Sequence, residues 1–264
     1  MSNGNSDKLN RTEQIMLGEP ITANCGAVLY PVRMRQYLLW HADKRALVMR
    51  QSTLPAKYAV MPYLQALYAI DFDNGFQLGL VQSLRVLMAM ATQTPIEGIN
   101  ILVSAKDEGQ LRAIAYTDKD GNVIRIEPKD FLSIRSILAE QNGEKLPDES
   151  ENPDLVQAEM DIAEANNADL EYSFETMLDS VSYAGRIPLA GLLDMTVRAF
   201  DRLRQAIERD KRFTICATAE MGGMVKFSKG NPYPSWCFDR KKTGSAALES
   251  MSDFTARTGI SPTT

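Results

Sequence analysis

The chain has 264 residues, 44% of them hydrophobic and 24% charged, with a formal net charge of -5. Such a chain has room for a sizeable core, and its composition excludes disorder throughout. No apolar run approaches the roughly 20 residues that cross a bilayer, and the polar opening MSNGNSDKLNRTEQ lacks a signal-peptide core, so the cytoplasm is the expected compartment.

Residues 1–20 read as a flexible N-terminus. An α+β module is expected over 21–143. It opens with a strand at Cys25–Tyr30, followed by a helix that starts at Pro31 and runs to Trp40, because proline is well tolerated in a first turn. Met34, Tyr37 and Leu38 recur in it at helical spacing, as Leu64, Leu67 and Tyr68 do after Pro62. A further apolar helix is predicted from Phe76 to Ala91, with Leu80, Leu84, Leu87 and Met88 on one face.

Ile99–Ser104 reads as a strand. Leu111–Thr117 and Asn122–Glu127 then flank Asp118-Lys-Asp-Gly121, and Asp-Gly supplies the positive φ that a tight hairpin loop needs. A helix from Pro128 to Ala139 follows, with Asn142-Gly143 as its stop.

Residues 144–171 hold ten acidic residues and a single lysine, so the rest of the chain is net positive. Pro147, Pro153 and the scarcity of aromatic and β-branched residues argue for a solvated acidic linker, with a short helix over Pro153–Ala165. A helical module is expected over 172–242, and a flexible tail over 243–264. Phe174, Met177, Leu178 and Val181 give the module's first helix an apolar face. From Leu189 to Asp210 the spacing of Leu189, Leu192, Leu193, Phe200, Leu203 and Ile207 predicts one amphipathic helix, with Asp194 and Arg198 as a supporting pair. The two helices form an antiparallel pair. The fold class is thus α+β: mostly helical, with a small antiparallel hairpin sheet in the N-terminal module and a helical C-terminal module.

Catalytic chemistry is poorly supplied. His41 is the only histidine, beside Trp40 and Asp43, and suits a surface or capping role. Cys25, Cys216 and Cys237 are scattered and lack a CxxC pair, which argues against a disulfide framework and a zinc site. Gly75–Gly79 lacks a P-loop lysine, and Met221–Met224 lacks dinucleotide-loop spacing, so both read as turns. Neither a metal nor a cofactor is expected, and the chain reads as a non-enzyme.

The stretch GNPYPSWCFDRKK, from Gly230 to Lys242, combines rings with cations. Stacking on bases is one use for that pattern, but the acidic balance of the chain disfavours nucleic acid. Pro232 and Pro234 bar a helix or an interior strand. The stretch reads as an extended docking or clipping segment anchored by Trp236 and Phe238, with Cys237 packed between them. The expected partner contacts are Phe200, Leu203, Tyr233, Trp236 and Phe238. Thirteen methionines add adaptable apolar contacts, although filling the core competes as their use.

The order of parts resembles the tail assembly chaperones of tailed phages and prophages of Gram-positive bacteria. The resembling residues are Tyr30–Tyr37, the acidic linker, Ser173–Met177, the helix Leu189–Arg209, Met224–Phe227 and Trp236. The resemblance implies a non-enzymatic helper in the cytoplasm of the bacterial host. Such a helper binds the tape measure protein, keeps it soluble until tail tube protein polymerises around it, and then leaves the particle. No membrane partner is expected. Two alternatives stand beside it: a tail or baseplate subunit retained in the virion, and a thiol hydrolase using Cys237 with His41.

Overall fold

The computed structural model describes residues 10–152, 158, 161–162, 173–227 and 231–236. Within 1–20 the sequence suggested only flexibility, yet Arg11–Leu17 forms helix α1. Asn10 and Glu13 close its start as a capping box, and Gly18 ends it at φ 74°. Arg11 fastens this helix to Ser136 and Glu140.

Strands β1 (Ile21–Thr22) and β2 (Val28–Leu29) form a short antiparallel pair. The helix expected from Pro31 starts later, as α2 (Tyr37–Asp43) behind a 3-10 turn at Met34–Gln36. The reason is long-range pairing, which holds the chain extended after the proline. Val32 N–H donates to Asn142 Oδ1 at 2.8 Å, Met34 N–H to the Met195 carbonyl at 2.9 Å, and Val197 N–H to the Val32 carbonyl at 2.9 Å.

Short helices α3 (Arg45–Val48) and α4 (Ala56–Ala59) lead to α5 (Tyr63–Asp73), which is buried on nearly every side. Such all-round burial marks the central helix of a core. Helix α6 (Leu80–Thr92) begins four residues after Phe76, because Gly75, Phe76 and Gly79 all take positive φ. With no side-chain cap at Gly79, the Asp71 carboxylate reaches across to accept from Val81 N–H at 2.8 Å.

The three-stranded sheet has the order β3 (Asn100–Val103), β4 (Leu111–Thr117), β5 (Val123–Ile126), antiparallel throughout. The predicted hairpin loop is held by Asp118, whose Oδ1 accepts from the N–H groups of Asp120 at 2.9 Å and Asn122 at 2.8 Å. Gly121 supplies the positive φ of 85°. Helix α7 (Phe131–Asn142) stops at Gly143 with φ 75°, as the sequence requires. Trp40, Leu64, Leu87, Ile114, Phe131 and Leu138 are almost wholly buried. The core therefore sits where α2, α5, α6, α7 and the sheet converge.

Helix α8 (Phe174–Gly185) is capped by Ser173. The single helix expected from Leu189 to Asp210 is in fact two, α9 (Leu189–Asp194) and α10 (Val197–Met221). The break at Met195–Thr196 arises because Thr196 bridges Arg33 in antiparallel fashion. The Asp194–Arg198 pair is likewise replaced: Asp194 binds Arg35, and Arg198 donates to the Glu140 carbonyl at 2.7 Å.

The chain divides into two compact units, one ending at Leu203 and the other starting at Arg204. This boundary differs from the expected division into 21–143 and 172–242, because α8, α9 and the start of α10 belong to the first unit. Tyr37 stacks on Phe174 at 5.1 Å, and the pairing of Val32–Met34 with Met195–Val197 joins the two halves of that unit.

The front of the acidic stretch is also built in. Glu144 pairs with Lys44 and Glu151 with Arg50, while Glu149 accepts from Gln51 N–H at 3.1 Å and Ser52 N–H at 2.8 Å. The helix expected over Pro153–Ala165 lies largely outside the described residues, of which Ala158, Asp161 and Ile162 are helical. Partial burial works to raise the Glu149 pKa, but the Ser52 and Gln51 donors and the Arg135 charge outweigh it, leaving the carboxyl below its ordinary value of 4.5. The clasp is therefore fully formed above about pH 4.5 and is lost as pH falls through the lower folded value. The protection of the Gln51 and Ser52 amides against exchange, relative to the intrinsic rate at each pH, is expected to fall across that window, and Glu149→Gln to abolish the dependence. The effect on global stability is small, since Glu149 is exposed and screened by solvent.

Candidate partner-binding surface

The second unit is organised by the part of α10 from Arg204 onward. Its exposed flank carries Arg204, Glu208 and Arg212 at helical i, i+4 spacing, and Glu208 pairs with both arginines. Arg212 reaches further and donates from Nη1 to the Tyr233 hydroxyl at 2.8 Å, with its guanidinium 5.5 Å from the Tyr233 ring centre. The Tyr233 hydrogen bond, aided by the Glu208 charge and opposed by slight burial, raises the Arg212 pKa.

The 231–236 stretch folds back through a local turn. Tyr233 N–H donates to Asn231 Oδ1 at 2.8 Å, and Asn231 Nδ2 reaches Glu220 at 3.4 Å. Asparagine turns of this kind pre-form an extended departure without a helix or a strand. Tyr233 thus clips the segment to its own helix, while Trp236 stands 61% exposed.

Comparison with protein-family models, curated proteins and solved structures finds no match to this chain.

The five residues expected to contact a partner have separate fates. Phe200 is only 2% exposed and belongs to the first unit, so it serves the protein's own core and is withdrawn as a contact. Leu203 is half-buried at the end of that unit. Tyr233 is half-buried on Arg212, Trp236 is exposed, and Phe238 lies outside the described residues together with Cys237.

Four residues absent from the sequence-based set take the place of Phe200. Ile215, Met221, Met224 and Val225 are exposed apolar side chains on the last turns of α10 and just beyond it. Their signal was available in the run Phe213, Ile215, Ala217, Met221, but the predicted helix ended at Asp210 before reaching it.

His41 lies in α2 with its ring 5.7 Å from that of Tyr37. Among the described residues, no group of three or more His, Cys, Asp or Glu is placed to hold a metal ion, and no helix is long and apolar enough to cross a membrane. The second unit therefore offers exposed apolar and aromatic side chains and a row of paired charges, Arg204, Glu208 and Arg212, as its chemistry.

Proposed function

We propose that the protein is a non-enzymatic phage tail assembly chaperone that acts in the cytoplasm of the bacterial host. Its client is the tape measure protein, a long helical chain prone to aggregation, which it holds soluble while tail tube protein assembles. The observation that carries this reading is the apolar set Ile215, Met221, Met224, Val225 and Trp236, exposed on one small unit beside the Arg204, Glu208 and Arg212 flank.

Helical clients present stripes of Leu, Ile and Met, and methionine side chains adapt to such stripes without a fixed register. Full burial of each large apolar side chain contributes about 1.5–3 kcal/mol. Several engaged together offset the cost of association and still permit release when the tube forms. The charged flank keeps the unoccupied surface in solution.

Co-expression with the tape measure protein tests the reading. The expected result is a soluble complex that co-purifies with the tagged chain, together with absence of the chain from finished particles. A tape measure protein that stays insoluble, with this chain found stoichiometrically in purified particles, overturns it in favour of a tail or baseplate subunit.

A further inference from the structure

A cleft of about 510 Å³ lies in the first unit, where the extended strip after Pro31 passes the end of α6. Its polar lining comes from Arg33, Arg35 and Gln36 on the strip and its following turn, and from Gln93 and Thr94 just beyond α6. Pro31, Met90 and Pro95 supply apolar surface. Among the described residues that line the cleft, two are arginines and none is acidic.

Asp194 anchors both arginines but neutralises only one. Its Oδ1 accepts from Arg35 Nε at 2.8 Å and from Arg35 Nη2 at 2.8 Å, whereas Arg33 Nη1 reaches the Asp194 carbonyl, at 2.7 Å. Among the described residues Arg33 has no carboxylate partner, and that one bond leaves most of its five N–H donors unspent. Arg33 is exposed, so those donors are open to a ligand.

The α6 side of the cleft is prepared in the same sense. Gln93 closes the helix at φ 55°, a left-handed conformation uncommon outside glycine. Lys119, from the loop between β4 and β5, donates to Gln93 Oε1 at 2.7 Å, with its ammonium 4.8 Å from the Tyr30 ring centre. A lysine has only donors to give, so the Gln93 oxygen faces it, and Nε2 keeps its N–H groups without an acceptor among the described residues. The carbonyl end of a helix carries partial negative charge that opposes an anion. Here the Ala89 carbonyl is taken by the Gln93 and Thr94 N–H groups, and the Ala91 carbonyl by Tyr30 N–H at 2.7 Å. An unmatched cation, spare donors and an apolar lining thus occur together.

We propose that this cleft binds a small organic oxyanion, a carboxylate or phosphate carried on a compact apolar body. Arg33 forks onto the oxyanion, as guanidinium geometry favours, Gln93 Nε2 donates to it, and Pro31, Met90 and Pro95 take the body. A volume of about 510 Å³ falls in the range of small-molecule sites and exceeds what an inorganic ion fills. The inference stands apart from the tail-assembly reading and survives its failure.

The test is titration of the full chain, followed through the amide resonances of Arg33 and Thr94, with benzoate, phenyl phosphate, inorganic phosphate and neutral benzamide at matched ionic strength. Benzoate and phenyl phosphate are expected to shift both resonances saturably, and the tighter of the two assigns the head group. Benzamide, which has the ring without the charge, is expected to leave them unmoved. Arg33→Gln is expected to weaken binding of both organic anions at least tenfold with little change in melting temperature, because the side chain is exposed. Arg33→Lys is expected to restore only part of that loss, since it keeps the charge and loses the fork. Benzamide binding as tightly as benzoate, inorganic phosphate binding as tightly as phenyl phosphate, no saturable response, or unchanged binding in Arg33→Gln overturns the proposal. The comparison of probes uses the wild-type chain and holds even where Arg33→Gln does not fold.

Discussion

Phe131→Ala is expected to lower the unfolding free energy by about 3–5 kcal/mol, the range for truncating a fully buried aromatic residue. Phe131 is completely buried at the start of α7 and stacks on Tyr63 of α5, with ring centres 6.2 Å apart. Tyr63 is fixed in turn by donating its hydroxyl to the Ala46 carbonyl at 2.9 Å, and burial pushes its pKa up to about 12. Removing the Phe131 ring thus opens a cavity against a neighbour that cannot swing in without breaking that bond. The loss is a large share of the roughly 5–15 kcal/mol that stabilises a typical domain. Urea denaturation followed by far-UV circular dichroism measures it. Leu132→Ala, one residue on but 55% exposed, is expected to change stability by less than about 0.5 kcal/mol. Equal effects from the two substitutions would mean that α7 does not face the core with Phe131.

Arg135→Met ranks second, with an expected loss of about 3 kcal/mol, set by the donors it removes. Arg135 is 6% exposed and donates from Nε to the Leu47 carbonyl at 2.6 Å and from Nη2 to the Met49 carbonyl at 3.1 Å. Its guanidinium lies 3.7 Å from the Tyr63 ring centre. Desolvation lowers the Arg135 pKa, against the opposing influence of Tyr63 and Glu149. Methionine fills much of the same volume but donates to nothing, so both carbonyls lose their partner at about 1–3 kcal/mol each, less whatever water recovers at the rim. Arg135→Lys is expected to restore part of the loss, because one ammonium reaches one carbonyl and cannot lie flat over the ring as a guanidinium does. Thermal denaturation of the two variants side by side decides it. A methionine variant as stable as wild type would show that the Arg135 bonds contribute nothing.

These two residues also mark what sequence made legible. Phe131 falls on an apolar period, so α7 and its stop at Gly143 follow from spacing and from one glycine. The hairpin around Asp118-Lys-Asp-Gly121 rests on equally local chemistry. Arg135 falls on the same helix as an apparently solvent-facing charge, and its burial depends on carbonyls 86 and 88 residues away. The same limit explains the broken helix. The apolar period runs from Leu189 through Ile207 without interruption, and only the bridge between Arg33 and Thr196 breaks it at Met195–Thr196.

The candidate surface was legible in type and less so in place. Periodicity identifies Phe200 as apolar-facing, but that pattern is the same whether the face is covered by the protein's own core or by a partner. The structure covers it from within, and the exposed set moves toward Ile215, Met221, Met224 and Trp236. Tyr233 was expected to face a partner and instead is tied to Arg212, a pairing between a helix and a later turn that no local pattern encodes. At the front of the acidic stretch, Glu144, Glu149 and Glu151 find fixed partners on the first unit while Glu149 and Glu151 stay exposed, pairings across about 100 residues that charge alone does not encode.

The proposed chaperone role rests on the exposed apolar set of the second unit holding a helical client. The most direct measurement is co-purification of the tape measure protein with the full chain carrying Ile215→Asp and Met221→Asp, beside wild type. Both positions are exposed, at 66% and 89%, so an unchanged melting temperature is expected. Recovery of soluble tape measure protein is expected to fall at least tenfold. Full recovery with the doubly substituted chain, at unchanged melting temperature, would contradict it.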